Sequence, residues 1–226
     1  MSRVLALVEG RTEQTFVREV LAPGLSSKGV FLSATMIGKS GHKGGVRVWA
    51  SARRDIMAAL KQDLRRCCTT MLDYYALPGD WPGSSEAREK PFDQAASVIE
   101  RAIHGDICRE LGDSFDPRRL IPYIQMHEFE ALLFSDTDIL SGVLPCPEAK
   151  SALDQIVAEC KEPEGIDDNP KTAPSKRLLD LAAGYQKVLH GAIAAQRIGL
   201  ARMRTACPHF RDWVERLEAL AAAHGA

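Results

Sequence analysis

The sequence predicts an α/β fold: a mainly parallel sheet flanked by helices, with a helical C-terminal extension. Two observations lead there. Over residues 1–135, short apolar runs containing β-branched residues alternate with stretches of helical periodicity. From residue 136 to 226 the helical pattern continues and no further strand is legible. The expected organisation is an α/β core over 1–135 with a helical region over 136–226 packed on it.

Arg3 to Val8 (RVLALV) is a continuous apolar run ended by Glu9-Gly10, the pattern of a strand buried on both faces. Phe16, Val17, Val20 and Leu21 then place apolar side chains on one face of a helix over Thr12 to Leu21, which Pro23-Gly24 should stop. Val30 to Ile37 reads as a second strand, leading to the glycine-rich loop Gly38 to Gly45. Val46 to Cys67 reads as a long amphipathic helix with Val46, Trp49, Ile56, Leu60 and Leu64 inward. Thr69 to Leu72 is a third strand, closed by Asp73, and the proline- and glycine-rich stretch Leu77 to Pro91 a loop. Phe92 to Ile107 is helical. Leu120 to Met126 is a fourth strand, which Pro122 confines to an edge or a strand start, and Glu128 to Phe134 opens another helix. The remaining helices surround a loop over Glu162 to Pro174.

The 226 residues are 45% apolar, enough for a sizeable core, and no apolar run approaches the ~20 residues that span a bilayer. The apolar stretch Val4 to Val8 is too short for a signal peptide, so a cytoplasmic protein is expected. Cys67, Cys68, Cys108, Cys146, Cys160 and Cys207 form no CxxC pair and no zinc-finger spacing, which fits buried thiols in a reducing compartment. Charge is unevenly spread. Residues 1–72 carry 12 basic side chains against 5 acidic, 73–170 carry 8 against 21, and 171–211 carry 8 against 1. An acidic middle between basic ends can serve a metal beside a polyanion, and ordinary solvated surface gives the same count.

Open parallel sheets bind ligands at the carboxyl ends of their strands. Three predicted strands end there in acid, at Glu9, Asp73 and Glu128. A hard divalent cation needs several oxygen ligands from separate segments, and such a convergence supplies them. His127-Glu128-Phe129-Glu130 is not a zincin motif, since Ala131 stands where HExxH needs histidine. On a regular helix Glu128 and Glu130 point about 200° apart, so one ion reaches both only across a strand-to-helix junction. Glu128 is the expected ligand, with Glu130 and His127 behind it, although His127 can equally be a satisfied junction histidine. Gly38-Lys39-Ser40 is not a Walker A loop, because Ser33 stands at the position of its first glycine.

Val8-Glu9-Gly10-Arg11-Thr12-Glu13 (VEGRTE) resembles the first motif of Toprim nucleases of the overcoming-lysogenization-defect class, VEG-x-TE. The resemblance implies metal binding by Glu9 and Glu13, although Glu13 in a first helical turn also complements the helix dipole. Asp73 matches the aspartate that ends the third Toprim strand, whereas Tyr75 replaces the second aspartate of the usual DxD. The ordered set VEG-x-TE, LDYY-x-LP-x-D-x-PG, PYIQ-x-HEFEALLFSD, APSKR, Y-x-K-x-x-HG, IGL and CPHF-x-x-W is similar to a bacterial domain-of-unknown-function family of the Toprim clan. It implies cleavage of nucleic-acid phosphodiesters, DNA foremost, with Mg²⁺ or Mn²⁺, and a role in phage defence beside an ABC- or AAA-type ATPase. Glu9, Glu13, Asp73 and Glu128 would hold the metal. Lys176, with Lys187 as its rival, would be the late lysine near the scissile phosphate. Lys39, Lys43, Arg47, Arg54, Arg177 and Lys187 are the candidate nucleic-acid contacts, and a solvated helix face explains the stripe Arg47, Arg54, Lys61, Arg65 equally well. Two other readings stay open: a catalytically weak DNA- or nucleotide-binding subunit that regulates an ATPase, and a phosphohydrolase acting on small nucleotides.

Overall fold

The computed structural model describes residues 1–38, 48–75, 77–146, 148–166 and 172–223. Its sheet comprises β1 (Ser2–Val8), β2 (Val30–Met36), β3 (Cys67–Asp73), β4 (Leu120–Ile121) and β5 (Ile124–Gln125), in the order β2-β1-β3-β4 with β5 also on β3. Every pairing is parallel. The helices are α1 (Arg11–Phe16), α2 (Ala22–Ser26), α3 (Trp49–Gln62), α4 (Ser84–Ala87), α5 (Phe92–Leu111), α6 (Thr137–Ser141), α7 (Ala149–Cys160), α8 (Pro174–Leu181), α9 (Ala192–Ala206) and α10 (Pro208–Ala223). The α/β class, the parallel sheet and the helical C-terminal region are as the sequence predicts. No helix among the described residues is long and apolar enough to cross a membrane.

Both faces of β1 and β3 are largely covered, whereas β2 at the edge leaves Phe31, Ser33 and Thr35 exposed. Val4, Ala6, Val8, Cys67 and Met71 face a core filled by Phe16, Val17, Phe129, Leu133, Ala195, Phe210, Trp213 and Leu217. Leu7, Cys68 and Leu72 face a second core, closed by Trp49, Ile56 and Leu60 of α3 and Val98, Ile99 and Ile103 of α5.

Several boundaries differ from expectation. Pro23-Gly24 does not end the first helix: α1 passes through a π turn over Val17–Leu21 and continues as α2 to Ser26. Pro23 lies in the first turn of α2, where a missing N–H is tolerated beside the wider π turn. A Cβ on Gly24 would stand 2.6 Å from Leu200 Cδ2, so a larger residue there would make this leucine of α9 shift. α3 ends at Gln62 rather than Cys67, since Asp63 is extended (φ −143°, ψ 107°) and Cys67 already pairs with Val4. Leu64 is accordingly 75% exposed, and Arg65 falls off the helical stripe. The expected loop over Leu77 to Pro91 contains the short helix α4. Lys39, Lys43 and Arg47 lie outside the described residues.

The fourth strand position is split at Pro122 into β4 and β5. Thr70 fills the gap: its Oγ1 donates to Tyr123 O (2.8 Å) and accepts from Tyr123 N (2.9 Å). On the outer edge, Ile124 N donates to Glu100 Oε1 of α5 at 2.9 Å, which occupies a donor that another strand could use. α10 is anchored by Glu164, whose carboxylate accepts from His209 N and Phe210 N at 2.9 Å each. Trp213 stacks on Tyr123 with ring centroids 4.1 Å apart and donates Nε1–H to Thr69 Oγ1 at 2.8 Å.

Thr70→Val keeps the shape of the side chain and leaves the buried Tyr123 N–H and C=O unpaired. Urea unfolding should show a loss of about 2–4 kcal/mol, most of it restored by Thr70→Ser.

Candidate functional site

The register of β1 on β3 sets Val8 beside Met71, so the residues that follow each strand emerge together. Asp73 N donates to Glu9 Oε2 at 3.3 Å. Gly10 is the extended residue that opens α1, and a Cβ there would stand 3.0 Å from Glu13 Oε2. Glu13, 7% exposed, thus folds its carboxylate back over the turn between β1 and α1. It serves the helix N-terminus and faces Glu9.

β5 delivers the other acids. His127 adopts φ 60°, a left-handed conformation that is strained for a non-glycine residue, and turns the chain into Glu128, which is extended (φ −142°, ψ 158°). The predicted helix here is a 3₁₀ segment, Phe129–Ser135, beginning one residue after Glu128. Its first N–H, from Phe129, donates to Asp73 Oδ1 at 3.1 Å. Glu128 Oε2 accepts from Ser175 N at the start of α8 (2.9 Å). Lys187 Nζ lies 3.7 Å from Glu128 Oε1 and 3.3 Å from Glu130 Oε1, so one cation does reach both across the junction. His127 is buried, its ring 6.4 Å from those of Tyr74 and Phe92. Tyr75, in place of a second aspartate, donates its N–H to His127 O at 2.8 Å.

Five carboxylates therefore share this end of the sheet with Lys187. Burial raises Asp73 well above the usual carboxylate range, and Glu13, Glu9, Glu130 and Glu128 push it further. Glu13 is raised by burial and by Glu9. Burial carries Glu130 to about 7 against the opposing pull of Lys187. Burial alone would depress Lys187, but Glu130, Glu128 and Asp73 outweigh it and hold the ammonium charged. An all-carboxylate donor set suits a hard divalent cation such as Mg²⁺ or Mn²⁺. Glu130 Oε1 is buried, and the Lys187 ammonium at 3.3 Å is its partner among the described residues. Among the described residues, no three His, Cys, Asp or Glu side chains already close into a metal-holding group.

The structure thus brings Glu9, Glu13, Asp73, Glu128, Glu130 and Lys187 together. Lys176 is exposed on α8 and makes no ion pair among the described residues, although its neighbour Ser175 touches Glu128. Arg177 donates to Thr172 O and Arg54 to Ser51 Oγ, so neither side chain is engaged with the cluster through these bonds. Sequence reasoning missed the Ser175 N–H, since a main-chain donor leaves no mark in a sequence. It also passed over Tyr185, whose signal was its place two residues before Lys187 in Y-x-K-x-x-HG.

Carboxyls raised on folding bind more protons in the folded than in the unfolded chain. The metal-free protein should lose stability as pH rises from about 5 to about 8, through the raised values, and Glu130→Gln should flatten that slope. Thermal melts across this range check it, and Mn²⁺ should restore most at the alkaline end.

No curated protein matches the chain. Two solved structures of the C-terminal region of the OLD protein of Xanthomonas campestris pv. campestris, phased with iodine and with mercury, are similar to it, at 17% and 16% identity. Each alignment covers 100% of this chain and 98% or 99% of the other, with a TM-score of 0.46. Residues 8–218 match the family described as a domain of unknown function, DUF4276, and the chain belongs to that family.

Proposed function

We propose that the protein hydrolyses nucleic-acid phosphodiesters, those of DNA first, with a divalent cation, Mg²⁺ or Mn²⁺. The observation that carries this reading is the arrival of Glu9, Glu13, Asp73, Glu128 and Glu130 from three separate segments at one end of the sheet, with the Lys187 ammonium against Glu128 and Glu130. The VEG-x-TE resemblance supports it. A bound divalent ion supplies an activated water and neutralises phosphate charge. Glu9, Glu13, Asp73 and Glu128 would hold that ion. Phe129 N–H orients Asp73, and Ser175 N–H orients Glu128. With an ion held there, Glu128 and Glu130 would attract Lys187 less, and its ammonium would be free to meet an oxygen of the scissile phosphate, where charge grows in the transition state. Lys187 takes this role in preference to Lys176, whose exposed position suits contact with the nucleic-acid backbone, together with Arg54 and Arg177. The partner ATPase and phage defence remain parts of the proposal that the motif resemblance alone supports.

Plasmid nicking with Mg²⁺ or Mn²⁺ is the test. Glu9→Gln keeps the shape and removes the charge, and should abolish cleavage without unfolding the protein. Lys187→Ala should slow cleavage about 100-fold while the ion still binds, whereas Lys176→Ala should cost only a few-fold. Glu9→Gln cutting as fast as wild type ends the nuclease reading. DNA retention without cleavage under any metal favours a regulatory binding subunit instead.

A further inference from the structure

Tyr185 is 5% exposed, and its hydroxyl is buried with no hydrogen-bond partner among the described residues. A buried donor left unpaired costs about 1–3 kcal/mol, so a native structure that keeps one needs a reason for it. The surroundings show that the position is built. The ring stacks on His190, centroids 5.9 Å apart and planes at 27°. A Cβ on Gly191 would stand 3.1 Å from Tyr185 Oη, 3.8 Å from Leu133 Cδ1 and 3.9 Å from Phe129 Cε1. The absence of a side chain at Gly191 therefore keeps the space beside the hydroxyl, against the 3₁₀ segment that carries Glu130. The charges of Glu130 and Glu128 act on the phenol: burial first, then these two carboxylates, disfavours its ionisation and keeps it a donor. Glu130 Oε1 is the complementary group, a buried acceptor whose partner among the described residues is the Lys187 ammonium.

We infer that Tyr185 is a positioning residue of the site, whose hydroxyl takes over Glu130 when Lys187 leaves it. The inference rests on the proposed metal-dependent reading. In this structure Lys187 Nζ stands 3.3 Å from Glu130 Oε1 and balances its charge. Once the ammonium turns to a phosphate, Glu130 needs another donor, and a neutral hydroxyl satisfies it without repelling the ion. Tyr185 thereby lowers the cost of releasing Lys187 and keeps Glu130 from swinging into the ligand set.

The test combines Tyr185→Phe, Glu130→Gln and the double variant in a cycle read by Mn²⁺-induced thermal stabilisation, with nicking as a second readout. Phenylalanine retains the ring and its stack on His190. Without metal, Tyr185→Phe should melt no lower than wild type, because only an unpaired hydroxyl is lost. Its Mn²⁺ midpoint should rise about tenfold and its nicking rate fall by a similar factor. In the Glu130→Gln background the same substitution should add little, since a neutral amide no longer needs the hydroxyl. A metal-free melting point that drops, including failure to fold, or additive effects in the cycle, overturns the assignment of Tyr185 alone. A wild-type protein with no Mn²⁺ response overturns the metal reading and this inference with it.

Discussion

Val4 to Val8 lie beside Cys67 to Met71 in register, and the meeting of Glu9 with Asp73 at the acidic end of the sheet is set by that pairing. Both strands are buried on both faces, so their side chains are sorted between two cores. A slip of one residue would send Val4, Ala6 and Val8 into the core meant for Leu7. The register that satisfies the cores also places Glu9 and Asp73 within one hydrogen bond of each other. Packing therefore specifies the site, and the site's charges have to be tolerated at that place.

The tolerance is electrostatic. Carboxyls this close and this buried cannot all stay ionised beside one amine, and Asp73, Glu13 and Glu130 respond with raised pKa values. Main-chain donors hold three of the acids in place: Asp73 N–H on Glu9, Phe129 N–H on Asp73 and Ser175 N–H on Glu128. Such donors fix orientation without supplying a full charge.

Much of this was legible in the sequence. Glu9 and Asp73 were found because an apolar run ended by an acid is a local pattern, and the pattern survives folding. Glu128 was placed correctly at the strand end but read as helical, since FEALLF satisfies helical spacing whichever helix type forms. The sequence shows no sign of the left-handed turn at His127. Pro122 announced an edge or a strand start but not a split strand, because the repair comes from Thr70, 53 residues before Tyr123. Pro23 misled for a similar reason: a π turn upstream removed the conflict that a proline usually creates. Lys187 was left as the alternative to Lys176, and no spacing rule distinguishes them. Only the packing of the chain around 187–191 against Phe129–Ser135 decides which lysine reaches the acids.

The stack of Trp213 on Tyr123, with its bond to Thr69, has a consequence for how the chain is made. Ser2 Oγ likewise donates to Leu220 O, across 218 positions. One face of the central strands is thus covered in part by α10, far along the chain from them. A growing polypeptide on the ribosome has the whole sheet outside long before it has α10, and holds Thr69 and Tyr123 without their cover until then. Contacts of such separation slow folding and expose apolar surface meanwhile. The nascent chain passes through a period in which its sheet is complete in sequence but open on one side, and in that period it depends most on whatever shields it from its neighbours.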